Sequence, residues 1–279
     1  MRIYQIKNQT PSQMMGYVIV TGNGKVIVID GGTQGDADAL RKIVNEHGGH
    51  IDLWFLTHPH IDHHGAFLII SQNPENITVG CVMRSYLPDE FSDYDTNFCN
   101  DIKSINAEFK VTPFKTAELT VGDIYNIDNI KIEVLGISNP EITVNAFNNS
   151  SCVLKITEQF ASGGNFTIMI LGDLGVEAGD KLLKLQGDKV RADMVQMAHH
   201  GQNGAERRVY EAIGAKYALW PTPDWLWTNT INPAEPGKGP WKTLEVRQWM
   251  EALNTKAITC LEETTIIDIS DRGVEISGR

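Results

Sequence analysis

The sequence has few positive charges for its length, and those it has are scattered. Its 279 residues include 24 lysines and arginines against 35 aspartates and glutamates, a formal net charge of −11. Arg207 and Arg208 come closest to a basic cluster. Duplex nucleic acid is usually bound by a basic stripe, so the composition argues against duplex DNA or RNA as a partner. It leaves open a nucleotide held at a local metal centre.

Long apolar runs and paired cysteines are lacking as well. No stretch approaches the roughly 20 apolar residues that a membrane span requires. The N-terminal segment is polar and has no signal-peptide core. The four cysteines, at positions 81, 99, 152 and 260, follow no pairing pattern. We therefore expect a cytoplasmic protein with reduced thiols and no membrane association. The sequence does not indicate an oligomeric state.

The pattern of apolar residues predicts strands and helices that alternate in two halves. An Asn-Gly turn between residues 16–20 and 25–30 is typical of a β-hairpin. Further strands are predicted at 51–56, 77–83, 130–135, 151–157, 166–171, 190–197, 217–220, 257–261 and 264–269, and helices at 37–47, 175–185, 206–213 and 244–253. With no linker between the halves, residues 1–279 are interpreted as one domain of helix-covered sheets packed face to face.

Four potential metal ligands lie within six residues, directly after a predicted strand. They are His58, His60, Asp62 and His63. Loops at the carboxyl ends of strands are where α/β sites are usually built. Imidazole nitrogens and carboxylate oxygens suit zinc, with manganese or iron as alternatives. Because four such neighbours do not fit one ion comfortably, we assign His58 and His60 to one metal, and Asp62 and His63 to a second.

Two further candidates follow apolar runs downstream. Asp173 has two carboxylate oxygens and is predicted to bridge both ions. The pair His199-His200 follows the predicted strand 190–197. Since consecutive strand residues point to opposite faces, only one of them is expected to be a ligand. We favour His200, which leaves His199 to support the ligands or to contact the substrate.

These residues and their order resemble the metallo-β-lactamase fold family over nearly the whole chain. The segments 148–154 (NNSSCVL), 171–173 (LGD) and 198–201 (AHHG) are similar to the hydrolase domain of the ComEC/Rec2 competence proteins, and also to bacterial phosphorylcholine esterases. The resemblance implies an α+β fold, a four-layer αββα sandwich, with a dinuclear centre at one sheet edge. It also implies a supporting role for Asp30, which would hold the ligand loop by hydrogen bonds. His64 is interpreted as structural support.

One ligand of the family pattern is missing. The family usually has a histidine between the first cluster and the bridging aspartate, but residues 65–198 contain none. Asn148 stands near that place, as asparagine does in the ComEC-like branch. Its neutral amide oxygen is a weak candidate ligand, so the first metal is expected to bind less tightly or to complete its shell with water.

These features predict a metal-dependent hydrolase with two divalent ions and a metal-bound hydroxide as nucleophile. Asp62, Asp173 and His199 are the candidate catalytic residues. The resemblance favours a phosphodiester substrate, nucleotide-type or phosphorylcholine-type, and the acidic composition favours a small or single-stranded one. The alternatives are hydrolysis of a carboxylic ester, thioester or lactam at the same centre, and a metal-binding regulatory protein with little turnover.

The segment 221–241 is rich in proline and tryptophan and is predicted to be a loop insertion. One interpretation is a long connection packed by its own rings. The other is an aromatic wall over the metals, which would stack on a base or receive a quaternary ammonium group. On that second interpretation Trp225 and Trp227 are candidate substrate-binding residues.

Overall fold

The computed structural model of the protein describes residues 1–278. Its strands are β1 Arg2–Gln5, β2 Gly16–Val20, β3 Val26–Asp30, β4 His50–Phe55, β5 Thr78–Arg84, β6 Thr116–Glu118, β7 Ile124–Ile127, β8 Ile130–Gly136, β9 Val153–Gln159, β10 Asn165–Ile170, β11 Met194–Gln196, β12 Tyr217–Trp220, β13 Lys256–Thr259, β14 Thr265–Ser270 and β15 Gly273–Gly278. Its α-helices are α1 Ala37–Glu46, α2 Ile61–Gln72, α3 Cys99–Val111, α4 Val176–Gln186, α5 Arg207–Ile213, α6 Asp224–Trp227 and α7 Thr243–Ala252.

The strands form two mixed sheets. The first has the order β15-β14-β1-β2-β3-β4-β5-β6, and the second has the order β13-β12-β11-β10-β9-β8-β7. The hairpin predicted around the Asn-Gly turn is present, since β2 and β3 pair antiparallel from Gly16 opposite Asp30 to Val20 opposite Val26. Strands β3 to β6 run parallel in the first sheet, and β10 to β13 run parallel in the second.

The alternation of side chains along the strands accounts for the layering. In β3, Ile27 and Ile29 belong to a core between the two sheets, while Val26 and Val28 belong to a core under the helices. Helices α1, α2 and α3 cover the outer face of the first sheet, and α4, α5 and α7 cover that of the second. The predicted α+β, four-layer αββα sandwich is therefore confirmed.

Several element predictions need correction. The strand predicted at 190–197 is only Met194–Gln196, preceded by a short 3₁₀ turn. Strands β1, β6, β7 and β15 were not predicted, because each is short or lies at a sheet edge with few apolar residues. In β1, the fully buried Gln5 donates from its side-chain amide to the carbonyls of Trp220 and Ile258 in the other sheet. The segment 221–241 is mainly irregular, as predicted, and contains only the short helix α6.

Among residues 1–278, every helix is too short or too polar to cross a lipid bilayer.

Candidate metal centre

The first ligand segment combines a loop with the first turn of a helix. Strand β4 ends at Phe55, and His60 is the extended residue that precedes α2. Asp62 and His63 lie in the first helical turn, so their side chains leave the helix in different directions. His64 points away from the centre, and its Nε2 lies 3.3 Å from Ser104 Oγ. This position agrees with the structural role predicted for His64.

The structure brings the predicted ligands from both sheets together as two buried groups that share Asp173. One group consists of Asp62, His63, Asp173 and His200, and the other consists of His58, His60 and Asp173. Within each group, one potential ligand atom from every residue lies within 4.8 Å of the others. The division of the first four residues into two pairs matches the assignment made from the sequence.

The spacing of these atoms fits a tetrahedral ion. Zinc bonds of about 2.0–2.1 Å place two tetrahedral ligands roughly 3.3–3.4 Å apart. His63 Nε2 lies 3.3 Å from His200 Nε2 and 3.1 Å from Asp173 Oδ1. His200 Nε2 lies 3.2 Å from Asp62 Oδ2 and 3.4 Å from Asp173 Oδ2. In the other group, His58 Nε2 is 3.0 Å from His60 Nδ1 and 3.9 Å from Asp173 Oδ2.

Asp173 gives independent evidence for a cation at this place. Its side chain is 1% exposed, yet neither carboxylate oxygen accepts a hydrogen bond. The Nε2 atoms of His63 and His200 nevertheless lie 3.1 Å and 3.4 Å from its oxygens, as two ligands of a shared cation would. A buried carboxylate without donors costs several kcal/mol unless positive charge compensates it. The residues present consequently fit a divalent cation shared by both groups.

The carboxylates and histidines of the centre shift one another's pKa values, and this links protonation to metal binding. Burial opposes the charged form of Asp173, but His63 and His200 outweigh burial and hold the pKa of the Asp173 carboxyl well below its usual range. Burial alone would lower the pKa of His200, yet the carboxylates of Asp173 and Asp62 raise it to about 9. A proton and a metal ion therefore compete for the same ring nitrogen.

Asp30, which was predicted to hold the ligand loop by hydrogen bonds, contacts Thr57 and His63. It is completely buried, and its two oxygens accept hydrogen bonds of 2.7 Å from the Thr57 backbone N–H and the Thr57 hydroxyl. Its Oδ2 also lies 2.7 Å from His63 Nδ1. A carboxylate that accepts the Nδ1 proton leaves Nε2 of His63 as the ligand atom.

His200, and not His199, is the member of the pair that enters a ligand group. His200 is fully buried, its Nδ1 donates to the Pro221 carbonyl at 2.9 Å, and its Nε2 faces the carboxylates. His199 Nε2 is 4.0 Å from Asp173 Oδ2, and its side chain is partly exposed. The argument that only one of the two histidines would be a ligand had a wrong premise, however, because strand alternation does not apply here. Both residues follow the end of β11 in left-handed turn conformations, with φ of 52° and 54°.

Asn148 and Gln13 complete the polar surroundings. Asn148 is buried in a short 3₁₀ helix, its amide donates to Asn145 Oδ1, and its own Oδ1 has no partner. Gln13 was not predicted to be near the centre. Its amide donates to Asp62 Oδ2 at 3.0 Å and its Oε1 accepts from Gln202 at 2.8 Å. Gln13 lies in a polar stretch without any motif, so no feature of the sequence marked it.

A cavity of about 570 Å³ opens onto this centre. It is lined by Ser12, Gln13, His60, Ile61, Asp62, Tyr94, Asp95, Phe98, Asn145, Asn148, His199 and Trp225. Trp225, one of the two predicted substrate-binding residues, is among them. Trp227 does not line the cavity. It packs edge-on against buried Trp220 and carries the Arg247 guanidinium on its ring, so its position contradicts the predicted contact with substrate.

Two face-to-face sheets with helices outside and a histidine–aspartate centre at one edge define the class of the fold. Residues 11–140 match the model of the metallo-beta-lactamase superfamily. The metallo-beta-lactamase fold protein YhfI from Bacillus subtilis superposes with a TM-score of 0.57 at 13% identity, over 99% of both chains. Tm1679, described as a metal-dependent hydrolase of the beta-lactamase superfamily, superposes with a TM-score of 0.52 at 13% identity, over 97% of this chain and 100% of its own.

No curated protein sequence matches this chain significantly. The family model and the two structures agree on the architecture, so this chain has the metallo-β-lactamase fold.

Proposed function

We propose that this protein is a hydrolase of phosphodiesters that uses two divalent cations, with zinc as the first candidate metal. The observation that carries the proposal is Asp173, a buried carboxylate shared by two ligand groups, whose oxygens have no hydrogen-bond donors. Hydrolytic sites with two ions hold them about 3.5–4 Å apart, a separation that one bridging carboxylate spans. The fold and the match to the superfamily model support the same reaction class.

One cation would be held by His58, His60 and Asp173, with Asn148 Oδ1 as an additional weak ligand. The second would be held by Asp62, His63, His200 and Asp173. Such ions supply Lewis acidity and a nucleophile formed from water near neutral pH.

The side chains around the ions have separate tasks in this proposal. Asp62, oriented by the Gln13 amide, keeps one oxygen at the boundary between centre and cavity. His199 lines the same cavity, and its pKa is lowered, chiefly by burial. Its ring therefore favours the neutral form and can accept a proton from water or substrate in the cavity.

The charge of the cavity favours a diester over a monoester. The part of the chain that lines it contributes the carboxylates of Asp62 and Asp95 and neither lysine nor arginine. A phosphodiester carries one negative charge near neutral pH, whereas a monoester carries nearly two. Asp62 would be neutralised by the cation that it holds, so the repulsion comes from Asp95, and a diester meets less of it than a monoester does. The similarity to ComEC/Rec2 proteins stays a prediction and points to the same substrate class.

The proposal is tested by metal analysis combined with a panel of chromogenic substrates. Protein loaded with zinc or manganese should hydrolyse bis(p-nitrophenyl) phosphate faster than p-nitrophenyl phosphate, and the Asp173→Asn variant should lose this turnover while it stays folded. Turnover confined to a carboxylic ester, thioester or lactam reporter would replace the proposed substrate class. Two bound ions without turnover of any reporter would favour a metal-binding protein.

A further inference from the structure

The histidines of the two ligand groups differ in how the nitrogen that faces away from the cation is satisfied. Three of these nitrogens have an acceptor: Thr57 Oγ1 at 3.1 Å from His58 Nδ1, Asp30 Oδ2 at 2.7 Å from His63 Nδ1, and the Pro221 carbonyl at 2.9 Å from His200 Nδ1. His60 is the exception within residues 1–278. It is 7% exposed, and its Nε2 is buried without a hydrogen-bond partner. Metal-bound histidines almost always donate their second N–H, so this nitrogen requires an acceptor.

Asp95 is the carboxylate that faces this nitrogen. It lies in the segment 89–98 before α3, and its Oδ2 is 3.6 Å from His60 Nε2, about 0.7 Å longer than a typical hydrogen bond. The His60 ring is held between Phe98 and Phe147, with centroids 4.9 Å and 5.4 Å away. The Asp95 carbonyl accepts from the Phe98 N–H at 3.1 Å, which keeps the carboxylate beside that ring. A small movement of the Asp95 side chain would therefore close the gap while the imidazole stays in place.

The position of the proton on the His60 ring decides whether His60 and His58 are both able to bind metal. His60 Nδ1 lies 3.0 Å from His58 Nε2, and these are the two ligand atoms of this part of the centre. A proton on His60 Nδ1 would be donated to His58 Nε2, and both ligand atoms would then be blocked. A proton on His60 Nε2 faces Asp95 and leaves both ligand atoms open. Hydrogen bonds to a carboxylate are about twice as strong as neutral ones, so Asp95 favours the second arrangement.

We propose that Asp95 is a positioning residue of the first metal site, which accepts the Nε2 proton of His60 and thereby keeps His60 Nδ1 open as a ligand atom. The proposal rests on the metal assignment made under the proposed function, but it requires no particular substrate. Asp95 also lines the cavity, together with Tyr94 and Phe98 of the same segment. The hydrogen bond to His60 would therefore attach the segment 89–98 to the centre, so that metal binding and the formation of this side of the cavity favour each other.

The first test is made on metal-free protein and needs no chemical step. ¹⁵N NMR of the neutral His60 ring measures how its proton is divided between Nε2 and Nδ1. Asp95→Ala should shift the proton from Nε2 towards Nδ1, whereas Asp95→Glu should keep it on Nε2, because the longer side chain still presents a carboxylate. Asp101→Asn is the matched control, since Asp101 Oδ2 accepts from the Ile61 backbone N–H at 3.0 Å, next to His60, and not from the ring. The control should leave the proton where the wild-type protein has it.

The second test measures zinc binding by chelator competition. Asp95→Ala should weaken one of the two ions by about 10–100-fold and leave the other unchanged, because Asp95 supports only the site that contains His60. Asp95→Glu should restore most of this affinity. Hydrogen exchange of residues 92–98 should slow when zinc is added to the wild-type protein and should not slow in Asp95→Ala. The Tm of the metal-free variants is measured alongside, and it should stay close to that of the wild-type protein.

The outcomes separate the role of Asp95 from the proposed function. An unchanged His60 tautomer in Asp95→Ala, or an equal loss of affinity for both ions together with a lower Tm, would overturn the positioning role. Unchanged exchange of residues 92–98 on zinc binding would overturn the link between the metal and this side of the cavity. A wild-type protein that binds two zinc ions, shows the expected effects of Asp95→Ala and hydrolyses no phosphodiester would support the positioning role and refute the proposed function.

Discussion

The substitution Asp30→Asn tests whether one buried carboxylate determines which ring nitrogen of two histidines is able to bind metal. Asp30 Oδ1 accepts from the Thr57 backbone N–H, and Oδ2 accepts from the Thr57 hydroxyl and from His63 Nδ1. Because the hydroxyl donates to Asp30, it is left to accept from His58 Nδ1 at 3.1 Å. Both rings then carry a proton on Nδ1 and present Nε2 to the metal.

In the Asp30→Asn variant, the amide oxygen must stay opposite the Thr57 backbone N–H, since that donor cannot reverse. The new NH₂ group then faces the Thr57 hydroxyl and His63 Nδ1, both of which are able to become acceptors. The hydroxyl turns to donate to His58 Nδ1. The other three hydrogen bonds survive with reversed polarity, but both imidazoles now hold their proton on Nε2, where the metal would bind.

The expected magnitudes distinguish this effect from simple loss of stability. Replacing charge-assisted hydrogen bonds by neutral ones should lower the free energy of unfolding by about 1–3 kcal/mol. At about 2–4 °C per kcal/mol, the Tm should fall by less than about 12 °C. Metal affinity should fall by about 10–100-fold, as is usual when the partner of a metal-bound histidine is altered.

The assay combines chelator competition for metal affinity with ¹⁵N NMR of the histidine rings, which reports the tautomer directly. Asp193→Asn is the control, because Asp193 Oδ2 likewise accepts from the backbone and hydroxyl of one threonine, Thr167, but in the second sheet. The control should lose stability without losing metal affinity. A folded Asp30→Asn protein with normal metal affinity and with His58 and His63 still protonated on Nδ1 would refute the reasoning.

Four further outcomes are expected. Protein purified without chelators should carry close to two metal ions per chain by elemental analysis. Asp173→Ala should lower this content and abolish hydrolysis without unfolding the protein. Normal metal content in the variant would show that Asp173 does not bridge the two ions. His200→Ala should cost metal occupancy and His199→Ala mainly turnover, and the reverse pattern would exchange their roles. The pKa of His200 is raised to about 9, and its ring must lose a proton before it binds metal. Metal affinity measured by calorimetry should therefore rise with pH below about pH 9, by up to about tenfold per pH unit. A metal affinity that does not change with pH would contradict this. Trp225→Ala should lower kcat/KM more than tenfold, whereas Trp227→Ala should lower the Tm; a normal Tm for Trp227→Ala would exclude its packing role.

The ligand cluster was predictable because its chemistry is local in sequence. His58, His60, Asp62 and His63 lie within six residues after a strand, so their proximity follows from chain connectivity alone. The strands that precede Asp173 and His200 were recognisable as apolar runs, and parallel strands of a sandwich end at a common edge. The layering follows from the same runs, because alternate residues of β3 and β10 face different cores.

What escaped prediction depends on contacts between distant loops. Gln13 reaches Asp62 across 49 positions of the chain, and no local pattern encodes that contact. Tyr94, Asp95 and Phe98 lie in the segment before α3, which carries no motif, and only the fold brings them to the cavity. Trp225 and Trp227 are two residues apart on one helical turn, so they point in different directions, and only the fold decides which of them faces the cavity.

The sharing of ligands between the two sheets has a consequence for folding as well as for chemistry. His63 and His200 are 137 positions apart, and they meet only where the halves of the sandwich close against each other. An ion coordinated by both would act as a reversible cross-link across that seam, much as a disulfide closes a long loop. Binding to the native state alone adds RT ln(1 + [M]/Kd), about 4 kcal/mol at a thousandfold excess over Kd. Metal binding would then raise the free energy of local opening at the interface between the two sheets. The metal-free protein would be cleaved by proteases first at this interface.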